Sequence, residues 1–385
     1  MKEVVIIDAV RTPIGKGNNK NGYFRNTRSD ELGAFVVQAL LKRNQFDPSL
    51  IEDIIFGCAM QQEEQGHNIA RQIALYAGLP VEISAATVNR LCGSSLQALH
   101  QATQSIMTGN GDIFIVGGVE HMGHLPIETG FNFNPKLFKH YSKAMVSMGI
   151  TTEFLAMKYG ISRESQDEFA VNSHIKALSA TKNGSFDNEI VSVYARSEDG
   201  KKIIISKDQG PREDTTIEAL AKLDPAFNPK GGTITAGNSS QISDGASAVL
   251  LMSIDKAKEL NLKPLVRVRA MATAGVDPSL FGIGPVHATN KALKRAGLSL
   301  TDIDVIELNE AFAAQSLAVI QDLKLDESKL NLNGGAIALG HPLGCSGTRI
   351  TATLINIMQQ KKANLGLATM CIGMGQGIAT IFEAI

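Results

Sequence analysis

Two kinds of hydrophobic pattern alternate along the chain. Short runs of β-branched and other apolar residues, typical of buried strands, are separated by longer stretches in which apolar residues recur every three or four positions. The short runs predict strands near residues 4–7, 54–56, 86–88 and 113–116, and again near residues 265–270, 305–308, 330–332 and 365–370. Strands that alternate with helices predict an α/β architecture.

The same order of elements occurs twice. Each half contains an amphipathic helix, marked by Leu96, Leu99, Ala102 and Ile106 in the first half and by Ile350, Leu354, Ile357 and Met358 in the second. The distance along the chain from Ile54 to Cys92 nearly equals that from Val305 to His341. Cys92 and His341 are therefore predicted to occupy matching turns, each between a strand and a helix.

The two halves differ by one long insertion. The first half does not return to a final strand until about residues 246–252, whereas the second returns within a few residues. We therefore predict an N-terminal core half of residues 1–118 plus 246–262, an inserted loop domain at 119–245 with a helix that begins near Ser162, and a C-terminal core half at 263–385. The insert is expected to cover a site built by the two halves; the alternative is a surface domain without a role in the site.

The composition is that of an ordinary globular protein. The 385 residues are 44% hydrophobic and 19% charged, and 37 basic side chains nearly balance 38 acidic ones. That balance provides no positive field for nucleic acid, so we expect no DNA or RNA partner. Four cysteines are too few for a disulfide framework and favour a reducing compartment.

No segment has the pattern of a targeting or membrane-spanning sequence. The apolar run at residues 4–7 ends at Asp8, and no later stretch reaches the roughly 20 apolar residues that span a bilayer. Residues 382–385 also differ from a peroxisomal signal. We therefore expect a cytoplasmic protein without a transmembrane segment.

Cys92 is the first candidate for chemistry. It stands between a predicted strand and the helix that follows residue 94, with Gly93 beside it. A helix N-terminus stabilises an anion, so this position is expected to lower the pKa of the thiol. An isolated cysteine before a helix is more often a small buried packing residue. A catalytic role therefore requires a base or a positive field nearby.

His341 could supply that base. It lies in a glycine-rich segment at residues 333–347, and glycines at this density allow close backbone approach and positive φ angles. If the two halves pack about a pseudo-twofold axis, the matching turns meet and Cys92 faces His341. The alternative is a histidine with a structural role.

A second thiol, Cys371, precedes a segment with glycines at 373, 375 and 377. Their spacing superficially suggests a dinucleotide-binding loop, but the residues that follow alternate like a strand, whereas such a loop requires a helix there. We therefore predict a tight loop whose backbone N–H groups can face a developing oxyanion.

Asn309 follows the predicted strand at 305–308 and precedes a helix. The sequence alone favours a role as the helix N-cap, and the alternative is an amide that holds a water or a substrate carbonyl. Two cysteines and a histidine also suggest metal binding. Because no C-x-x-C or H-x-x-x-H spacing supports zinc, we expect no metal.

At these positions the sequence resembles the thiolase family. The similarity covers essentially the whole chain, including residues 8–15, and its specific motifs surround Cys92, His341 and Cys371. The resemblance implies a thiolase fold of five αβαβα layers, built from two similar halves with a loop domain inserted in the first. It also implies thiolytic cleavage, in which 3-ketoacyl-CoA and CoA give acetyl-CoA and an acyl-CoA shortened by two carbons.

The resemblance also implies roles for individual residues. Cys92 matches the acylated nucleophile, His341 the base that activates it, and Cys371 the acid/base thiol. Asn309 matches an asparagine that helps to hold a catalytic water, and the N–H groups of Cys92 and Gly373 match an oxyanion hole.

The resemblance also bears on four further positions: two of them match residues that contact CoA, and the other two are cysteines without a catalytic match. Ser240 matches a serine that contacts the pantetheine arm of CoA, and Arg212 an arginine near the CoA nucleotide. Cys345, where many family members have alanine, is expected to be a packing residue. Cys58 matches no motif.

Within the family, residues 117–124 are most similar to the degradative bacterial members that act in fatty acid oxidation. This similarity implies a homodimer, association with a separate hydratase/dehydrogenase α subunit, and CoA as a substrate, with no metal or redox cofactor. The alternatives are the biosynthetic formation of acetoacetyl-CoA and, in a different class, a non-catalytic CoA or lipid carrier. A ketoacyl synthase would use two histidines and has no counterpart of Cys371.

Overall fold

The computed structural model describes residues 1–197 and 199–385, and it contains the alternating elements that the hydrophobic pattern predicts. The strands are β1 (Val4–Arg11), β2 (Gly15–Lys16), β3 (Asp53–Gly57), β4 (Ser84–Val88), β5 (Ile113–His121), β6 (Val193–Arg196), β7 (Lys202–Ile205), β8 (Ser243–Ser253), β9 (Val266–Gly275), β10 (Val305–Leu308), β11 (Leu365–Ile372) and β12 (Gln376–Ala384). The helices are α1 (Ser29–Arg43), α2 (Ile69–Tyr76), α3 (Ser94–Met107), α4 (Met148–Tyr159), α5 (Arg163–Lys182), α6 (Ile217–Leu220), α7 (Ile254–Glu259), α8 (Gly284–Ala296), α9 (Ala313–Leu323), α10 (Ala336–Leu339) and α11 (Ser346–Lys361).

The strands form two similar half-sheets. The first has the order β4-β3-β5-β8-β1, and the second has the order β10-β11-β12-β9. They join where β1 meets β9 through only two residue pairs, Val5 with Arg267 and Ile6 with Val266. Pairing is parallel between β3 and β5 and between β10 and β11, and it is antiparallel in the strand pairs that follow in each half. The repeat predicted from the sequence is therefore present in the topology.

The prediction of a strand at residues 330–332 is wrong. In the first half β4 pairs with β3 along five residues, but the corresponding place beside β10 holds a single bridge between Ile306 and Leu330. Asn331 has a positive φ of 44°, which ends the extended backbone at once. The second half-sheet is therefore one strand shorter than the first.

Helices cover both faces of each half-sheet and lie between the two, so that five αβαβα layers result. The alternation of side chains in β1 places Val5 and Ile7 in the cluster with α1 and α2, and Val4 and Ile6 in the cluster with α3 and α11. Helices α8 and α9 pack on the outer face of the second half-sheet. The middle layer of α3 and α11 is thus buried between the halves, as the thiolase-like fold requires.

The chain between β5 and β8 carries the elements outside the repeat, including α4, α5 and the two-stranded sheet of β6 and β7. The helix predicted near Ser162 is confirmed, because the Ser162 hydroxyl accepts from the N–H of Ser165 and caps α5. The division into an insert at 119–245 and two core halves stays a prediction. Within the described residues, no helix is long and apolar enough to cross a membrane.

Glycines allow the two halves to approach closely at one end of the middle layer. A β-carbon at Gly347 of α11 would lie 2.4 Å from the backbone nitrogen of Leu96 in α3. A β-carbon at Gly118 of β5 would lie 2.1 Å from the carbonyl oxygen of Gly344. Because glycine has no β-carbon, the backbones can approach closely at these points, and the turns that precede α3 and α11 lie next to each other.

Candidate active site

Cys92 lies in a strained turn between β4 and α3. The preceding residue, Leu91, has a positive φ of 47°, which is uncommon for a leucine. The Asn89 side chain holds the turn, since its oxygen accepts from the N–H of Leu91 at 2.8 Å and its nitrogen donates to the Ala59 carbonyl at 2.9 Å. Gly93 follows and packs against Ile372, next to Cys371. The turn therefore brings Cys92 to the hairpin of the other half.

His341 lies in the matching turn of the second half. Gly340, with a φ of 109°, separates α10 from His341, and the backbone N–H of His341 donates to the Ser243 hydroxyl at 3.2 Å. Three residues on, the N–H of Gly344 donates to the buried carboxylate of Glu120 at 2.7 Å. Glu120 also accepts from the N–H groups of Ala59 and Met60 and so ties the His341 turn to the first half.

Cys371 stands at the end of β11, where the chain reverses into β12. Met374 and Gly375 have positive φ angles of 61° and 83°, and a β-carbon at Gly375 would lie 2.4 Å from the Val276 carbonyl oxygen. A strand, β12, follows the glycines. The expectation that this segment is a tight loop between strands, and no dinucleotide-binding loop, is confirmed.

Asn309 is not a helix cap. The helix after it, α9, begins at Ala313 behind Phe312, so the N-cap expectation is wrong. The backbone of Asn309 instead continues from β10, with its N–H donating to the Thr369 carbonyl at 3.0 Å. Its side-chain nitrogen lies 3.4 Å from Nε2 of His341. The amide thus lies beside His341, and its expected role of holding a water or a substrate carbonyl stays a prediction.

Ser346 lies within hydrogen-bond distance of one ring nitrogen of His341. The Ser346 hydroxyl donates to the Pro342 carbonyl at 2.9 Å and contacts Nδ1 of His341. A hydroxyl has one proton; when it is donated to Pro342, Nδ1 donates to Ser346. Nε2 of His341 is then left with a lone pair and can accept a proton.

The expected low pKa of the Cys92 thiol is wrong. Burial of the sulfur raises its pKa to about 11, and the nearby charge of Glu120 adds to the increase. The backbone N–H groups of Gly373 and of Cys92 itself lower the pKa, but desolvation outweighs them. These two N–H groups therefore point at the position of the nucleophile, where charge develops during acyl transfer.

The other two titratable groups are also neutral at rest. Burial, assisted by the positive charge of Arg349, lowers the pKa of His341 to about 3. Burial raises the pKa of Cys371 well above its ordinary value, and the nearby Cys92 sulfur raises it further. Among the hydrogen bonds between described residues, none joins the Cys92 thiol to His341. The resting site thus holds two thiols and a neutral imidazole, and a proton moves only as a bond forms.

Ser240 lies beside this site and Arg212 lies outside it. The N–H of Ser240 donates to the Ala311 carbonyl at 3.0 Å, and Ala311 packs against Cys371. Arg212 has an exposed guanidinium that pairs with Asp214 at 3.2 Å. The structure therefore brings Ser240, but not Arg212, together with the candidate catalytic residues.

The remaining cysteines are packing residues. Cys345 is buried against the Ser247 hydroxyl, and burial raises its pKa to about 12. Cys58 is buried beside Glu120, and burial likewise raises its pKa. Over residues 1–197 and 199–385, no group of three or more His, Cys, Asp or Glu side chains is placed to hold a metal ion.

Sequence reasoning missed three residues that shape the site: Ser346, Glu120 and Met148. Met148, at the start of α4, packs against Cys371 from the segment outside the repeat. Glu120 had a visible signal, because it is an acid within the otherwise apolar β5. Ser346 lies five residues after His341, and its contact with Nδ1 depends on the fold of the turn between them, which no pattern shows.

The chain belongs to the thiolase family. It matches the family models described as "Thiolase, N-terminal domain" over residues 4–255 and "Thiolase, C-terminal domain" over residues 262–384. Among its relatives are two proteins named 3-ketoacyl-CoA thiolase. The one from Marinomonas sp. is 59% identical, with 100% of this chain and 98% of the relative covered. The one from Idiomarina loihiensis is 58% identical, with 100% of both covered.

Two solved structures have the same fold. The Bacillus anthracis acetyl-CoA acetyltransferase superposes with a TM-score of 0.92 at 40% identity, covering 100% of this chain and 99% of that one. Human mitochondrial 3-ketoacyl-CoA thiolase superposes with a TM-score of 0.91 at 38% identity, with the same coverage. The five-layer thiolase fold expected from the sequence is therefore confirmed.

Proposed function

We propose that this chain catalyses the thiolytic cleavage of 3-ketoacyl-CoA by CoA, through an acyl intermediate on Cys92. The observation that carries this proposal is the convergence of four groups from both halves of the fold: two thiols, a neutral imidazole and a side-chain amide. Relatives at 58–59% identity over the full chain that are named 3-ketoacyl-CoA thiolase support it.

In the first step the Cys92 sulfur attacks the 3-keto carbon and its proton passes to Nε2 of His341. Because the thiol has a pKa of about 11, the proton must leave as the carbon–sulfur bond forms. The negative charge that develops on the keto oxygen is stabilised by the backbone N–H groups of Cys92 and Gly373.

In the second step the bond between Cα and Cβ breaks. Its electron pair remains on Cα of the departing acetyl-CoA enolate, and the Cys371 thiol supplies the proton that completes acetyl-CoA. Burial keeps Cys371 protonated until this point, as an acid requires. The acyl group stays on Cys92 as a thioester.

In the third step the Cys371 thiolate removes the proton of an incoming CoA thiol. The CoA sulfur attacks the thioester and expels Cys92, which regains its proton from His341. Atoms and charges balance without a metal or redox cofactor, so we propose that none takes part and that CoA is a substrate. Ser240 is proposed to contact the pantetheine arm, and the exposed Arg212 the nucleotide end.

We further propose that the active form is a homodimer and that it associates with a separate hydratase/dehydrogenase α subunit. Such a subunit would produce the 3-ketoacyl-CoA that this site consumes. The cytoplasmic location expected from the sequence belongs to the same proposal.

The second candidate function is the reverse, biosynthetic formation of acetoacetyl-CoA. It is favoured by the similarity to the Bacillus anthracis acetyl-CoA acetyltransferase structure, and it would use the same side chains. Thiolysis rates measured over a series of 3-ketoacyl-CoA substrates from C4 to C16 separate the two. Turnover of long chains supports the degradative function, and activity confined to C4 supports the biosynthetic one.

Two cysteine variants test the mechanism itself. Cys92→Ser should abolish thiolysis and accumulate no acyl-enzyme, because the serine hydroxyl is a much weaker acid than a thiol. Cys371→Ala should slow both half-reactions, while acyl groups trapped from an acyl-CoA still map to Cys92 by intact-mass and peptide analysis. An acyl group on Cys371 of the wild-type protein would reverse the assignment. Binding of CoA without turnover of any substrate would support the non-catalytic carrier.

A further inference from the structure

A buried arginine lies directly behind the site. Arg349, in α11, is fully buried, and its Nη2 lies 3.4 Å from Oδ1 of Asn309. Its Nη1 lies 3.9 Å from the carboxylate of Glu307, at the edge of salt-bridge distance. Within residues 1–197 and 199–385, neither Nε nor Nη1 of Arg349 has a hydrogen-bond acceptor. Among the described residues, the side chain of Asn309 is thus the one hydrogen-bonded partner of this buried cation.

The contact with Asn309 decides how its amide is oriented. A carboxamide presents an acceptor on one side and donors on the other, and the two can exchange by rotation. A guanidinium has no acceptor, so it can face only the oxygen of Asn309. The nitrogen of Asn309 must then point away from Arg349 and toward the His341 ring, where it lies 3.4 Å from Nε2.

We propose that Arg349 is a positioning residue for the reaction: it holds Asn309 with its amide nitrogen facing the reacting groups and keeps a positive charge behind the His341 ring. This inference rests on the proposed function, because it assigns a role within the same site. It does not follow from the resemblance to the thiolase family, which gave no role to this residue.

The charges around Arg349 allow its positive charge to act on His341. Besides Glu307, the groups that act on Arg349 are Arg11, Cys345 and Glu189. Burial raises the pKa of Glu307 to about 8, which weakens the capacity of this acid to cancel the arginine charge at neutral pH. Glu189 is already bound to Arg11 at 2.7 Å. Within the described residues, Arg349 is the one charged group that shifts the pKa of His341, which it lowers.

Two substitutions separate the effect of the positive charge of Arg349 from the effect of its planar guanidinium geometry. Arg349→Lys keeps the positive charge but loses the planar fork, whereas Arg349→Gln keeps a donor but loses the charge. The double variant Glu307→Gln with Arg349→Gln replaces the pair by two neutral amides and guards against misfolding of the single variant. Arg43→Gln, at an arginine with a 40% exposed side chain, is the matched control.

Each variant is measured for thiolysis with the substrate that wild type cleaves fastest, and for alkylation of Cys92 by iodoacetamide between about pH 2.5 and 8, a range that includes the His341 pKa of about 3. For Arg349→Gln and the double variant we expect kcat to fall about tenfold with KM for CoA within about twofold, because Asn309 loses the contact that orients its amide toward the reacting groups. Loss of the positive charge alone would favour proton uptake by His341. We also expect the acidic limb to move to higher pH by about one unit, both in the pH profile of thiolysis and in that of Cys92 alkylation. The reason is that the pKa of His341 rises when the neighbouring positive charge is removed.

For Arg349→Lys we expect kcat to fall without a shift of the acidic limb. The inference is overturned if Arg349→Gln and the double variant, shown to be folded by thermal unfolding, keep the wild-type pH profile and kcat. It is also overturned if Arg349→Lys shifts the limb as far as Arg349→Gln does. Absence of thiolysis in the wild-type protein instead contradicts the proposed function, and the alkylation profile still reports on Arg349 in that case.

Discussion

At the scale of single residues, the acids and bases of the site are uncharged in the resting protein. Cys92 has a raised pKa and His341 a lowered one, both mainly because burial disfavours the charged form. A thiolate–imidazolium pair is therefore not the resting state. Reactivity comes from the neutral imidazole of His341, whose Nδ1 contacts Ser346, and from the N–H groups aimed at the Cys92 sulfur.

His341→Ala tests this interpretation through the alkylation of Cys92. With a pKa of about 11, roughly one Cys92 thiol in ten thousand is ionised at pH 7. Without the imidazole, alkylation at pH 7 should be about a hundredfold slower than in wild type. Its rate should then rise about tenfold per pH unit, because the thiolate fraction increases as the pH approaches the pKa of the thiol.

The measurement is the rate of iodoacetamide labelling of Cys92 between about pH 6 and 9, followed by mass spectrometry. The Cys92→Ser protein is the control for labelling at other cysteines. Rates equal to wild type over this range would leave His341 with a structural role only.

At the scale of elements, the site depends on how closely β5 approaches the turn before α11. The turn is held by Glu120 of β5, and Gly118 of the same strand leaves room for the Gly344 carbonyl. Because the β5 backbone and this turn come from different halves, their contact determines where His341 lies relative to Cys92.

Gly118→Ala should displace this turn. The added methyl group would lie 2.1 Å from the Gly344 oxygen, so the turn must move, and we expect the free energy of unfolding to fall by about 1–3 kcal/mol. We expect kcat to fall as well, because His341 moves with the turn. Urea unfolding and steady-state thiolysis provide the two readouts.

Gly275→Ala is the matched control. It lies in β9, where the first atom that a β-carbon would meet is 4.0 Å away. If Gly118→Ala behaves like Gly275→Ala in both measurements, the close approach of β5 does not position His341.

At the scale of the whole molecule, the first half-sheet ends in a strand that is paired on one side only. Strand β4 bonds to β3, and no other strand within the described residues covers its free edge. Near this edge Val81 is 66% exposed and Tyr76 is 58% exposed. An open sheet edge beside exposed apolar side chains favours association with another chain.

We therefore predict that the chain sediments as a dimer, with about twice the mass of the 41.1 kDa chain. Val81→Asp should shift it toward the monomer, because a charge at an apolar contact must be desolvated. Ile204→Asp, at an equally exposed residue of β7, is the control and should leave the dimer intact. Wild-type protein that sediments as an active monomer would contradict the prediction.

Several features followed from the sequence because they depend on local order. The repeat, the helices that follow the Cys92 and His341 turns, the hairpin after Cys371 and the matching turns themselves were all predicted correctly. In each case periodicity or glycine placement constrains the backbone of a short segment, and the pattern occurs twice. The likeness of the two halves then implied that their turns meet.

Other features were decided only by tertiary structure. The cap expected at Asn309 and the strand expected at 330–332 were wrong, because the Asn309 amide contacts His341 and Arg349 and the positive φ of Asn331 ends the extended backbone. The predicted direction of the Cys92 pKa shift was wrong. Desolvation depends on which residues cover the sulfur, and here it exceeds the effect of the helix N-terminus. The contact of Arg349 with Asn309 joins residues forty positions apart. Residue order determines which groups are present, but burial and distance set their protonation, and both depend on the folded chain.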